Sequence, residues 1–220
     1  MLNSICVREV VVFDFDGTLA DTVEAARRIF NRLAPDFGAR PVELEELSAL
    51  RHLKLRGLLK TLGVKQRHVP ILLQRGKTLL REEIPSLRPC PGVIEQLETL
   101  RSDSRRFGIL TSNSVENVDL FLKRHGVREQ FDFISSCRKL QGKAKYLKAI
   151  ARTHSLDPRD MLYIGDEVRD VKASKKAGVP VVAVSWGFNS VQALRESKPD
   201  WIVEDAEALA SLVAGARPRL

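Results

Sequence analysis

An alternation of short apolar runs with helix-period segments restricts the fold of this chain more than any other feature. The runs "VVVFD" (10–14), "FGILT" (107–111), "FDFIS" (131–135), "MLYIG" (161–165), "VPVVAV" (179–184) and "DWIV" (200–203) are brief, apolar and bounded by polar or turn residues, as buried strands are. Helical patterns lie between most of them. "GVIEQLETLRS" sets Val93, Ile94, Leu97 and Leu100 at helix spacing, "SVENVDLFLKRHG" and "VRDVKASKKAG" each close on a glycine, and "AKYLKAIARTHS" repeats the theme. Strands alternating with helices predict a parallel sheet covered on both faces. Such sheets carry their sites in the crevice at the carboxyl ends of the strands.

Residues 20–87 interrupt the alternation. "TVEAARRIFNRLAPDFG", "VELEELSALRHLKLRGLLKTLGV" and "HVPILLQRGKTLLREEI" are helical in pattern, and none contains a good strand. An all-helical block over 20–87 is therefore expected between the first strand and the rest, with 1–19 and 88–220 forming the sheet domain. "TLAD" and "SLRPCPG" would be its two connections, the second stiffened by Pro85, Pro89 and Pro91 within or beside it.

The strand ends carry the chemistry. The first run stops at Asp14 and Asp16, although aspartate is a poor strand former. Two close carboxylates repel unless a cation or a proton lies between them, while an Asx-type turn at Asp-Gly is the plainer alternative. Thr111, Ser112 and Asn113 follow the second run, and Asp166, Glu167 and Asp170 follow the fourth. Lys143 and Lys145 open the helix between the third and the fourth. Taken singly, Thr111 reads as a helix cap, "GDE" as acids in a helix's first turn, and Lys143 as a solvated lysine. In a parallel sheet, however, all these ends face one crevice. Carboxylates with oxygen donors alone suit a hard cation, Mg²⁺ being the usual one, and Mg²⁺ beside a lysine and a hydroxyl is a phosphate-binding set.

Other chemistries lack support. "GKAK" has neither the upstream glycine nor the Ser/Thr of a P-loop, and there is no GxGxxG or GxSxG. His52, His68, His125 and His154 lie in helical or loop stretches away from the strand ends. Cys6, Cys90 and Cys137 are too widely spaced for a zinc pattern, and their odd number gives no disulfide framework. The net charge of +8 is spread over many segments with no alternation of basic and aromatic residues, so no nucleic-acid partner is expected. At 220 residues and 44% hydrophobic, the chain can bury a substantial core in one or two domains. No apolar run nears the roughly 20 residues of a membrane helix, and the first one ends at Asp14, so no membrane association and a cytoplasmic location are expected.

Four motifs in order, "DFDGTL" (14–19), "ILTSN" (109–113), "GK" (142–143) and "GDEVRD" (165–170), resemble the haloacid dehalogenase-like superfamily. The block at 20–87 looks like that superfamily's helical cap in its commonest position, and "RPCPGV" looks like the return to the core. "AGVPVVAVSWG" and "KPDWIVEDAEAL" are similar to the tail of its phosphoglycolate phosphatase-like members. The resemblance implies an α/β fold: a Rossmann-like parallel sheet with helices on both faces plus an inserted all-helical cap.

It also implies roles. Asp14 would be the nucleophile that becomes an aspartyl-phosphate, ionised without help because an ordinary aspartate titrates near pH 4. Asp16 would protonate the leaving oxygen, then act as base on the hydrolytic water, with its backbone carbonyl on Mg²⁺. Thr111, Ser112 and Asn113 would bind the transferred phosphoryl group, with Lys143 balancing its charge. Asp166 would ligate the metal, and Asp170 would hold a metal-bound water or orient Lys143. The motif departs from the common pattern at Ala144, which leaves Lys145 as a competing lysine, and at Glu167. The presence of Asp16 favours phosphate esters over the dehalogenases, which lack a second aspartate.

In the cap, Arg51, His52, Lys54 and Arg56 cluster before Gly57. Arg51 or Lys54 would contact the substrate's leaving group; alternatively the four form a solvated face, with Leu50, Leu53, Leu58 and Leu59 buried behind it. The expected activity is Mg²⁺-dependent hydrolysis of a small phosphorylated metabolite, phosphoglycolate-like or a sugar phosphate. A phosphomutase of the same superfamily and a non-catalytic phosphate- or metal-binding regulator are the alternatives, and the oligomeric state stays open.

Overall fold

A computed structural model describes residues 9–53, 55–101, 105–137 and 142–215. Its frame is a parallel sheet of six strands: β1 (Val10–Phe13), β2 (Arg106–Thr111), β3 (Phe133–Ser136), β4 (Met161–Gly165), β5 (Val181–Val184) and β6 (Trp201–Val203). All six apolar runs are strands. The third begins two residues later than expected, because Arg128–Gln130 form a 3₁₀ turn that leads Phe131 into the strand. The spatial order is β3-β2-β1-β4-β5-β6, and every neighbouring pair is parallel. The order reverses between β1 and β4, and a crevice opens at such a reversal.

Side chains alternate between the faces with the strand period of two. Val11, Phe13, Leu162, Ile164, Val182 and Val184 share one core with Val93, Leu97 and Leu100 of the helix Val93–Leu100, Phe121 of Val115–Arg124 and Leu209 of Ala206–Val213. Val10, Val12, Met161, Tyr163, Val181 and Ala183 face the other way. They pack with Leu147 and Ile150 of the helix Lys143–Thr153, Val171 of Val168–Ala177 and Leu194 of Val191–Ser197. Both faces are therefore dry, as a purely parallel sheet requires.

Between β1 and β2 the chain forms α1 (Thr22–Leu33), α2 (Leu47–Leu50), α3 (Leu55–Thr61) and α4 (Val69–Glu83), with 3₁₀ turns between them and no strand among the described residues. The second helical stretch expected from sequence is divided: α2 ends at Leu50, and Arg51 and His52 sit in a turn before α3. The block has its own small cores, one of Ile29, Leu33, Phe37, Leu59, Val64 and Leu72, the other of Val42, Leu50 and Leu62. Its two connections to the sheet lie side by side. Ala20 and Pro89 form an antiparallel bridge, the Asp21 N–H donates to the Arg88 carbonyl at 2.9 Å, and the Cys90 N–H donates to that of Leu19 at 2.9 Å. Following α4, the helices are α5 (Val93–Leu100), α6 (Val115–Arg124), α7 (Lys143–Thr153), α8 (Val168–Ala177), α9 (Val191–Ser197) and α10 (Ala206–Val213). No helix among the described residues is long and apolar enough to cross a membrane.

Candidate active site

The reversal in strand order places Asp14, at the end of β1, beside Asp166, at the end of β4. Asp14, Asp166 and Asp170 each offer a carboxylate oxygen, these oxygens lie within 4.8 Å of one another, and all three residues are buried. Lys143, the first residue of α7, reaches into this cluster. Its Nζ donates to Asp14 Oδ2 at 2.5 Å, to Asp170 Oδ1 at 2.7 Å and to the Tyr163 hydroxyl at 2.8 Å. Lys143 is 2% exposed, whereas Lys145 points outward and is exposed, so the lysine in the crevice is Lys143.

Each carboxylate has a distinct set of partners. Asp14 Oδ1 accepts the Phe15 N–H at 2.8 Å. Asp166 accepts the Thr18 hydroxyl at 3.0 Å on Oδ1 and the Phe188 N–H at 2.6 Å on Oδ2; among the described residues it forms no contact ion pair, though its charge is felt by Arg51. Asp170 Oδ2 accepts the Glu167 N–H at 3.1 Å, while the Glu167 side chain caps the Asp170 N–H. "GDEVRD" thus closes a reciprocal cap at the start of α8, and Asp170 divides its oxygens between that cap and Lys143. Glu167, which departs from the usual pattern, also pairs with Arg169.

Two glycines let the backbone come this close. Gly17 has φ +77°, and a Cβ there would stand 2.5 Å from Asp166 Oδ2. A Cβ on Gly165 would stand 2.9 Å from the Asp170 side chain. Neither position has room for a side chain.

The electrostatics follow from burial. Burial drives the Asp14 carboxyl from 3.8 up to about 7; Asp170 and Asp16 add to the rise, and Lys143 opposes it. Asp14 therefore does not keep the ordinary acidity on which its ionisation was argued from sequence. Burial, then the charges of Glu167, Asp170 and Asp14, raise Asp166 well above the ordinary range. Burial also raises Asp16, against the Asn113 hydrogen bond and the charge of Lys143. A buried, oxygen-only cluster with more negative charge than Lys143 balances fits a hard divalent cation. Asp14, Asp166 and Asp170 offer side chains to such an ion; the Asp16 carboxylate is not in that group.

The remaining candidates are placed as follows. Asp16 is partly buried and accepts a 3.4 Å hydrogen bond from Asn113 Nδ2. Thr111, fully buried at the end of β2, accepts the Asn113 N–H on its hydroxyl at 2.9 Å. Ser112 sits between them, partly buried. Arg51 donates from Nη2 to the Ser185 carbonyl at 2.7 Å and to that of Gly187, and its own carbonyl accepts from the Ser190 N–H at 3.0 Å. It ties the helical block to the loop after β5. Lys54 lies outside the described residues, and His52 and Arg56 are exposed.

Sequence reasoning passed over Tyr163, Thr18 and Arg169. Tyr163 was legible only through strand parity, since residue 163 falls on the same face as α7 and α8. The sequence pattern of one family, described as haloacid dehalogenase-like hydrolase, matches residues 11–184. The chain is 37% identical over 205 residues to a phosphoglycolate phosphatase of Synechococcus elongatus, covering 93% of this chain and 97% of that protein. A phosphoglycolate phosphatase of Agrobacterium fabrum is 26% identical over 91% of this chain and 90% of its own length. Among solved structures, a haloacid dehalogenase-like family hydrolase from Streptococcus pneumoniae superposes with a TM-score of 0.77 at 24% identity, over 92% of this chain and 97% of that one.

Proposed function

The chain belongs to the haloacid dehalogenase-like hydrolases, in their phosphoglycolate phosphatase-like branch, and from that membership we propose that it hydrolyses a small phosphomonoester through an aspartyl-phosphate on Asp14, with Mg²⁺ as cofactor. The observation that carries this reading is the contact of Asp14 with Lys143 inside a cluster of three buried carboxylates at the ends of β1 and β4.

In the first half-reaction Asp14 Oδ2 attacks phosphorus, the new P–O bond forms, and the ester P–O bond breaks. Asp16 gives its proton to the departing oxygen, so the organic group leaves as an alcohol. The pKa of Asp16, raised by burial, supports this task, since a proton donor must hold its proton until the bond breaks. In the second half-reaction Asp16 takes a proton from water, the oxygen attacks phosphorus, and the bond to Asp14 breaks to release phosphate. Thr111 and the polar groups of Ser112 and Asn113 hold the phosphoryl oxygens, and Lys143 offsets their charge. Asp170 positions Lys143 through its 2.7 Å contact.

Asp14, Asp166 and the Asp16 carbonyl would hold Mg²⁺, with Asp170 close by. Bound there, the ion would supply positive charge that favours the ionised form of Asp14 and offsets the charge of the phosphoryl group. The test is phosphate release from 2-phosphoglycolate, hexose phosphates, nucleoside monophosphates and an aryl phosphate, with and without Mg²⁺. The expected result is release that requires Mg²⁺ and is lost in Asp14→Asn. Release unchanged in Asp14→Asn would overturn the covalent route.

A further inference from the structure

Between the helical block and the strand ends lies a cavity of about 380 Å³. Small-molecule sites span roughly 300–1,000 Å³. Asp16, Glu167 and Arg169 line it on the side of the sheet. Its walls are hydrocarbon: Ile29 and Phe30 of α1, Leu58 and Leu59 of α3, and Leu72 and Leu73 of α4. Gly76 keeps part of the space open. It lies inside the 15-residue α4, where glycine is a poor helix former, and it lines the cavity. A Cβ added there would meet only Ile29 Cγ2, at 4.0 Å. No close approach of a neighbour accounts for the missing side chain.

The arginines around the cavity are engaged through their terminal nitrogens, while Arg51 Nε and Arg169 Nε are buried without a hydrogen-bond partner among the described residues. Arg27 is held by Glu24 at 2.8 Å, Arg51 by two backbone carbonyls, and Arg169 by Glu167. Among the described residues that line it, Lys77 is the cation without such a partner, and it is exposed. Two carboxylates, Asp16 and Glu167, belong to the lining on the side of the sheet. The hydrocarbon part of the wall gives sugar hydroxyls few partners.

We propose that the substrate is a phosphomonoester of an apolar alcohol, alkyl or aryl, whose hydrocarbon part fills this cavity above Asp16. The proposal rests on the catalytic reading given above. A general acid stands where the leaving oxygen departs, so the organic group lies on the side of Asp16, and Asp16 lines the cavity. Filling the cavity also expels water from above the phosphoryl site, and binding of the remote hydrocarbon holds the ester in place for attack.

The experiment measures kcat/KM in Mg²⁺ for straight-chain alkyl phosphates from methyl to decyl, beside 2-phosphoglycolate and glucose 6-phosphate. The expected result is a rise of about fourfold per methylene over the first several carbons, the factor that burying one CH₂ supplies. The long esters are expected to outrun both 2-phosphoglycolate and glucose 6-phosphate. Gly76→Leu, which projects a side chain into the space, is expected to lower the decyl-to-methyl ratio by about tenfold or more. A flat series, or a preference for either polar ester, would overturn the proposal while leaving the phosphatase reading intact. If no ester is turned over, the phosphatase reading fails, and calorimetric titration with alkylphosphonates judges the cavity by itself. Affinity that climbs with chain length then supports it, and affinity independent of length overturns it.

Discussion

The hydroxyl of Tyr163 accepts a 2.8 Å hydrogen bond from the ammonium of Lys143, deep under the strand ends. With Asp14 and Asp170 it occupies all three donors that an ammonium has. Tyr163→Phe leaves one buried N–H without a partner. The expected loss is about 1–3 kcal/mol of stability in urea unfolding. We also expect a fall in kcat with little change in KM, since Lys143 would be less well aimed at the phosphoryl group.

Lys143→Met removes the counter-charge of two buried carboxylates at once. Breaking a buried pair in this way costs about 3–5 kcal/mol. Activity against every ester is expected to drop by about a hundredfold or more, the scale of losing one preorganised charge partner. Saturating Mg²⁺ should restore part of the stability but not the activity, and denaturation with and without the ion separates the two effects.

Metal removal should make stability depend on pH with a definite sign. The folded pKa of Asp14 is about 7 against an ordinary 3.8, so the folded chain holds this proton more tightly than the unfolded chain does. That contribution is complete below the unfolded value and is lost as pH rises through about 7, a change of about 4 kcal/mol at most. In chelator, unfolding measured at intervals from pH 4 to pH 7 should give a declining stability. Added Mg²⁺ should flatten the decline, because an ion beside Asp14 favours its charged form. A chelated protein that grows more stable over this range would contradict the assignment.

Arg51 links the two parts of the molecule through the carbonyls of Ser185 and Gly187. Arg51→Ala should loosen the helical block over the strand ends and lower kcat/KM for all esters by a common factor of roughly ten- to a hundredfold. A residue that read the leaving group would change the ranking of esters instead, so the same panel distinguishes the two roles. Hydrogen exchange should rise in α2 and α3.

Gly17→Ala combines a positive φ with a side chain placed 2.5 Å from Asp166 Oδ2. The backbone conformation alone disfavours alanine by about 1–2 kcal/mol. The displaced Asp166 should also weaken Mg²⁺ binding, measured by titration of the ion.

Much of this arrangement could be read from residue order. Apolar runs bounded by turn residues define all six strands, and parallel topology alone brings Asp14, Thr111, Lys143 and Asp166 to one edge. What escaped were relations that depend on facing. Tyr163 reads as one more apolar residue of "MLYIG", because strand parity matters only once its neighbours are known. Arg51 reads as part of a helix, whereas the chain turns there and its guanidinium crosses to the loop after β5. The leucines of α3 and α4 read as core; several of them border open space, and helix periodicity does not distinguish a filled interior from a hollow one.

The bridge between Ala20 and Pro89 has a consequence for how such a molecule can change. The helical block leaves and rejoins the sheet through one doorway, so its length and shape place no tension on the strand order. A different block, longer, shorter or lined with other side chains, can be grafted at that doorway while the aspartates, the lysine and the sheet stay in register. Under the catalytic reading proposed above, substrate preference and phosphoryl chemistry would then vary as separable parts.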